Sequence, residues 1–189
     1  MTVRAARPTL TQLPSVTISP TLLIPWQKKH YFDPAARWRP FRRRAFVFWG
    51  ETALFPLVHA FLAGCAADQD ADYQYVFDLL GTELAANAIR HSRSGEPGGT
   101  FTLRVDRSTE GLTLTCRDHG LPGLHVWDIR DRSYLAPDPN GLRPEAEAGR
   151  GLALVDHLAT RWGDNGLPTH RHVWFHLAYD LTGSAWTAA

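Results

Sequence analysis

Glu83-Leu84-Ala85-Ala86-Asn87-Ala88-Ile89-Arg90-His91 closes a run that begins near Tyr73 and keeps one period throughout. Val76, Phe77, Leu80, Leu84 and Ala88 recur every three or four residues, the spacing of one helix face. The pattern predicts a helix from about Tyr73 to His91. Glu83 and Asn87 are four apart, so they stand one turn above each other beside the apolar stripe. A carboxylate there can act as a base or hold a metal through water. A carboxamide oxygen one turn away can ligate a hard cation, and Mg2+ takes one or two such oxygens plus phosphate and water. Read alone, the pair is better explained as a solvated helix face.

Working outward, Phe46-Val47-Phe48-Trp49 reads as a strand ended by Gly50, with order beginning near Ala45. A helix is expected from Thr52 to Cys65, because Leu54, Phe55, Val58, Phe61 and Leu62 keep helical spacing. Pro56 falls in its first turn, where a missing N–H costs little. Downstream, Thr100 to Asp106 and Leu112 to Asp118 alternate as strands, joined as a hairpin through Ser108 to Gly111. Residues 119–148 are polar and rich in Pro and Gly, and connections this long are usually lids or disordered. A third helix starts near Gly151. A short strand around Thr160–Trp162, a turn at Asp164-Asn165-Gly166 and a strand from Val173 to Tyr179 follow. This order predicts an α+β fold: a two-layer α/β sandwich whose mixed or antiparallel sheet carries helices on one face.

Two more segments break the rules of an ordinary core. Alternation places Asp118 on the face of Leu112, Leu114 and Cys116, where a carboxylate is costly unless it accepts hydrogen bonds. An Asp capping its own turn is the plainer reading. Gly149-Arg150-Gly151-Leu152 leads into the third helix, and glycines there expose N–H groups that suit phosphate. One such loop is weak on its own.

In this order the three segments resemble the N, G1 and G2 boxes of the GHKL ATP-binding superfamily. Glu83 to His91 looks like the N box, Asp118-His119-Gly120 like the start of G1, and Gly149-Arg150-Gly151-Leu152 like G2. The closest look is to the small anti-sigma-factor serine/threonine kinases, over about residues 45–180. The resemblance implies the GHKL (Bergerat) fold, with ATP and Mg2+ as cofactors. It implies Asn87 as Mg2+ ligand, Glu83 as general base on a protein hydroxyl, and Asp118 as acceptor from the adenine amino group. Gly120 would let the base lie on the backbone. Gly149 and Gly151 would hinge a lid spanning 124–148 and, with Leu152, present N–H groups to phosphate. Arg150 and His91 would add charge there. Two positions depart from the family pattern. Gly123 stands one place late for the second G1 glycine, and His172 replaces a small hydroxyl residue before Val173-Trp174-Phe175. Both are expected to touch the adenine end. The resemblance also implies protein partners, a sigma factor and/or its antagonist, with a homodimer possible. The rival is a non-catalytic switch whose degenerate site holds ATP, or nothing.

Composition sets bounds. The net charge of +1 conceals +8 over residues 1–50 and −7 over residues 51–189. Residues 1–44, with Pro8, Pro14, Pro20, Pro25, Pro34 and Pro40, are expected to form a basic, extended or disordered arm, residues 45–182 the domain, and 183–189 a tail. Trp26, Tyr31, Phe32 and Trp38 form an aromatic patch on that arm able to dock. A charged fraction of 21% is too low for a solvated disordered chain. No apolar run reaches the roughly 18–20 residues that span a bilayer, and prolines interrupt any signal-peptide core. Cys65 and Cys116 read as reduced, hence a cytoplasmic location. Arg37, Arg39, Arg42, Arg43 and Arg44, interleaved with Trp38 and Phe41, have the look of a single-strand nucleic-acid site. Nothing resembles a reading helix or RNA-binding fold, so no direct nucleic-acid contact is expected. His170, His172 and His176 would share a strand face with Trp174, but without a cysteine they make a weak zinc site.

Overall fold

Five strands and three α-helices build the structure, a computed structural model that describes residues 20–33, 41–123, 132–143, 145–146 and 149–186. In chain order they are β1 (Arg43–Trp49), α1 (Phe55–Ala66), α2 (Ala71–His91), β2 (Thr100–Arg107), β3 (Gly111–Arg117), α3 (Arg150–Leu158), β4 (Arg161–Asp164) and β5 (His172–Ala178). The sheet order is β1-β2-β3-β5-β4, and every neighbouring pair is antiparallel. The expected α+β sandwich is therefore present, in its antiparallel form.

Pleat and helix period meet in one core. Phe46 and Phe48, then Phe101, Leu103 and Val105, then Leu112, Leu114 and Cys116, then Phe175 and Leu177 are buried on one sheet face. Against them lie Val58, Phe61 and Leu62 of α1 and Val76, Phe77, Leu80 and Leu84 of α2. Each such side chain contributes about 1.5–3 kcal/mol relative to exposure. Tyr73 stitches the layers, since its hydroxyl donates to Leu177 O at 2.9 Å and accepts from Leu112 N at 3.2 Å. That contact fixes the roll of α2, and with it the side to which Glu83 and Asn87 turn.

Boundaries moved for local reasons. α2 begins at Ala71, two residues before Tyr73, because Asp70 caps it and accepts from Tyr73 N at 2.8 Å. β4 extends through Asp164, which pairs with Val173. The turn is carried instead by Asn165, whose Oδ1 accepts from Leu167 N and His172 N. β3 ends at Arg117, leaving Asp118 just beyond it.

The expectation of an extended or disordered arm through residue 44 is corrected over its described part. Residues 20–23 and 26–31 form 3-10 turns, and Ile24 is buried. Phe32 sets its ring against Phe46 at 4.8 Å. Tyr31 packs on the same core, while Trp26 stays exposed. Arg43 and Arg44 belong to β1. Arg44 is buried, with its guanidinium over Phe41 at 4.3 Å and Nη1 donating to Gly64 O at 2.7 Å. Aromatic area outweighed charge count here, because cation–π contact and a carbonyl let an arginine enter the core margin. Arg37, Trp38 and Arg39 lie outside the described residues, as do residues 187–189 of the tail.

Candidate functional site

A cavity of about 770 Å3 opens between α2, α3 and the ends of β3 and β5. Its floor is the last two turns of α2, which present Glu83, Asn87, Arg90 and His91. Across from them α3 starts at Gly149, whose φ of +79° is left-handed and whose position offers no side-chain cap. The first N–H groups of α3 therefore point at the cavity with the positive end of the helix dipole behind them. α3 and α2 approach closely. A Cβ on Gly151 would stand 2.6 Å from Glu83 Oε2 and 3.3 Å from both amide atoms of Asn87. Neither the Glu83 nor the Asn87 side chain has a hydrogen-bond partner among the described residues.

The opposite end is tied by backbone. Asp118 N donates to Arg171 O at 3.0 Å. Asp118 Oδ1 accepts from Gly120 N at 2.7 Å and Arg171 N at 3.3 Å. Leu121 N donates to Pro168 O at 2.8 Å, and Arg93 N to Gly120 O at 2.8 Å. Burial raises the Asp118 carboxyl above its ordinary range, while the Gly120 and Arg171 N–H groups and the Arg171 guanidinium pull it back. Gly120 has φ +71°, and a Cβ there would collide with the Thr169 carbonyl. Behind Arg171 is an ion pair, Nη1 to Asp164 Oδ2 at 2.6 Å, with side chains only 12% and 2% exposed.

Of the residues expected from sequence, Glu83, Asn87, His91, Asp118, Gly120, Gly149, Arg150, Gly151 and Leu152 all line the cavity. Gly123 does not. It sits in open surroundings with φ +77°, so the displaced glycine has left the site. His172 is also off the wall, contrary to the expectation that it touches the adenine end. It belongs to β5, opposite Arg117, and strand alternation turns it to the other sheet face, while Arg171 and Val173 line the cavity. Sequence reasoning missed Arg171, Pro168 and Asp138. For Arg171 no local signal existed. Asp138 opens an Asp-Pro-Asn-Gly turn that is legible as structure inside the expected lid.

The segment expected to be the lid borders the cavity through Leu135, Ala136, Asp138 and Ala146. Ser133 N donates to Gly166 O at 2.9 Å and Arg132 Nη1 to Asn165 O at 2.7 Å. Asp138 lies against Gly149, where a Cβ would meet its carboxylate at 2.9 Å. Residues 124–131, 144 and 147–148 of that segment lie outside the described residues. No group of three His, Cys, Asp or Glu able to hold a metal occurs among the described residues. A carboxamide oxygen with no partner, beside a carboxylate and bare N–H groups, fits a cation held largely by phosphate and water.

Residues 56–165 match the family model of the histidine kinase-like ATPase domain. The match covers more than half of the chain, and the chain belongs to this family of ATP-binding domains. No curated protein matches the sequence. Among the described residues, no helix is long and apolar enough to cross a membrane.

Proposed function

We propose that the protein is an ATP-binding regulator and a serine/threonine kinase of the anti-sigma-factor type, acting with Mg2+. It phosphorylates a protein antagonist, sequesters a sigma factor, or does both. The observation that supports this most is the placement of Glu83 and Asn87, both without hydrogen-bond partners, against Gly151 at the open start of α3. Such groups beside bare N–H donors suit a triphosphate. Phosphoryl transfer needs positioning and charge neutralisation above all.

In this reading, the N–H groups of Gly151 and Leu152 hold phosphate oxygens, and Arg150 and His91 add positive charge. Asn87 would hold Mg2+, which supplies neutralisation of phosphate charge. Asp118 accepts from the adenine amino group, and Gly120 lets the base lie against the backbone. The hydroxyl oxygen of a partner Ser or Thr bonds to the γ-phosphorus as the bond to the β,γ-bridging oxygen breaks. Glu83 takes the hydroxyl proton, and ADP departs.

The test is calorimetry with Mg-ATP, followed by labelled ATP with candidate antagonist proteins. Asn87→Ala is expected to lose the Mg2+-dependent part of nucleotide binding. Glu83→Gln is expected to bind ATP without transferring phosphate. Transfer that survives both changes contradicts the assigned roles. A second reading, an ATP-binding switch without transfer, is favoured by one observation: Gly123, the displaced G1 glycine, lies off the cavity. ATP binding with no labelled partner in any assay supports that reading instead.

A further inference from the structure

The sheet has a second face, turned away from the helices and from the cavity. Register places Arg43, Arg104, Arg117 and Arg161 on it, one on each of β1 to β4. Arg43, Arg104, Arg117 and Arg161 are all exposed. Threonines floor the space between them: Thr102 opposite Arg117, and Thr115 opposite Arg104 and Trp174. Trp49 at one corner is 49% exposed, and Val47 beside it 55%. At the other side the Trp174 indole leans over Gly163, where a Cβ would meet it at 3.1 Å. Asp106 is the acid among the strand residues of this face, and Arg43 and Arg104 both pair with it.

Two histidines sense the resulting field. His172 and His176 are both held below the ordinary imidazole range, by burial first and then by Arg117 and Arg161 respectively. With four arginines against Asp106 the face is cationic, although residues 51–189 carry −7 overall. Five strands at sheet spacing make it roughly 20 Å across and 23 Å along, a platform broad enough for a folded surface. Arginine and tryptophan are the residues that dominate the energetics of protein interfaces.

We propose that this face is the docking surface for an acidic protein partner. Charge complementarity selects the partner's sign. A second copy stacked face to face would bring two net-positive faces together. Val47 and Trp49 offer apolar anchors that a phosphate chain leaves unused. The surface lies on the layer opposite α2, so docking and nucleotide binding are separable. The proposal does not depend on phosphoryl transfer.

The test is an NMR titration of the full chain with a helical peptide bearing Asp and Glu on one face and Leu on the other. A thymidine oligonucleotide is titrated in parallel. The peptide is expected to shift signals of β1, β2, β3 and β5 open-face residues and the Trp174 indole, and to weaken with salt. Arg117→Glu with Arg161→Glu is expected to weaken the peptide about tenfold or more and to leave Mg-ATP affinity unchanged. Arg117→Gln with Arg161→Gln gives a smaller loss in the same direction and serves if the reversal fails to fold. Shifts confined to the helical side, or peptide affinity unmoved by both variants, overturn the proposal. So does tighter binding of the oligonucleotide, or a dimer in sedimentation that either variant converts to monomer.

Discussion

At one end of the cavity Glu83, Asn87 and Gly151 meet with no hydrogen bond among them. At the other, Asp118, Gly120 and Arg171 are bound together through the backbone. In the proposed function the first end, on two helices, takes its partners from a ligand. The second is the recognition end, tied together within the chain itself. A carboxylate that must take a proton cannot be fully paired at rest, whereas one that reads a base gains from being fixed. The two ends therefore break differently when altered.

The largest effect is expected at the open end. Glu83→Gln should lower phosphoryl transfer to a partner by about 10^2–10^4, the usual contribution of a general base. Its melting temperature should stay that of the parent, because the side chain has no partner to lose. At the fixed end the order is reversed, with stability falling first. Asp164→Asn leaves the Arg171 guanidinium buried without its carboxylate and should cost about 3 kcal/mol in urea denaturation. Gly120→Ala forces a side chain into left-handed backbone and into the Thr169 carbonyl, at about 2 kcal/mol by the same measurement. If Asp164→Asn instead spares stability and removes only transfer, the contrast between the ends is wrong.

Asp118 sharpens the comparison further. Asp118→Asn should weaken ATP by about 2 kcal/mol, roughly thirtyfold, while leaving tripolyphosphate binding in place. The pH dependence has a definite sign. The ionised carboxylate is the form that accepts from an amino group, and burial raises its pKa. Adenine affinity is therefore present above that raised pKa and lost as pH falls through it. The loss begins at a higher pH than for an ordinary carboxylate, and calorimetry at stepped pH should show this acid limb vanish in Asp118→Asn.

The same division explains what the sequence disclosed. The open end is made of short-range relations: Glu83 and Asn87 one turn apart, and glycines at a helix start. Periodicity and spacing expose both. The strands and helices were legible for the same reason, with Asp70 and Asn165 shifting only their ends. At the fixed end only Asp118 and Gly120 could be read. Arg171, which holds Asp118, is distant in the chain and meets it through register, which no local pattern encodes. His172 was misplaced by the family pattern, since strand alternation, which sets it on one face with Trp174 and His176, turns it away from the cavity. On the arm the aromatic patch was legible, but charge and proline were given more weight than Tyr31 and Phe32, which dock residues 20–33 on the core.

The central claim is that Glu83, Asn87 and the start of α3 form the phosphate end of an ATP site. Titration of ATP into the full chain by calorimetry, with and without Mg2+, in parent and Asn87→Ala, tests it most directly. The account predicts saturable one-to-one binding that strengthens with Mg2+ and loses that strengthening in Asn87→Ala. No binding at millimolar nucleotide, or the same Mg2+-dependent affinity in Asn87→Ala, would contradict it.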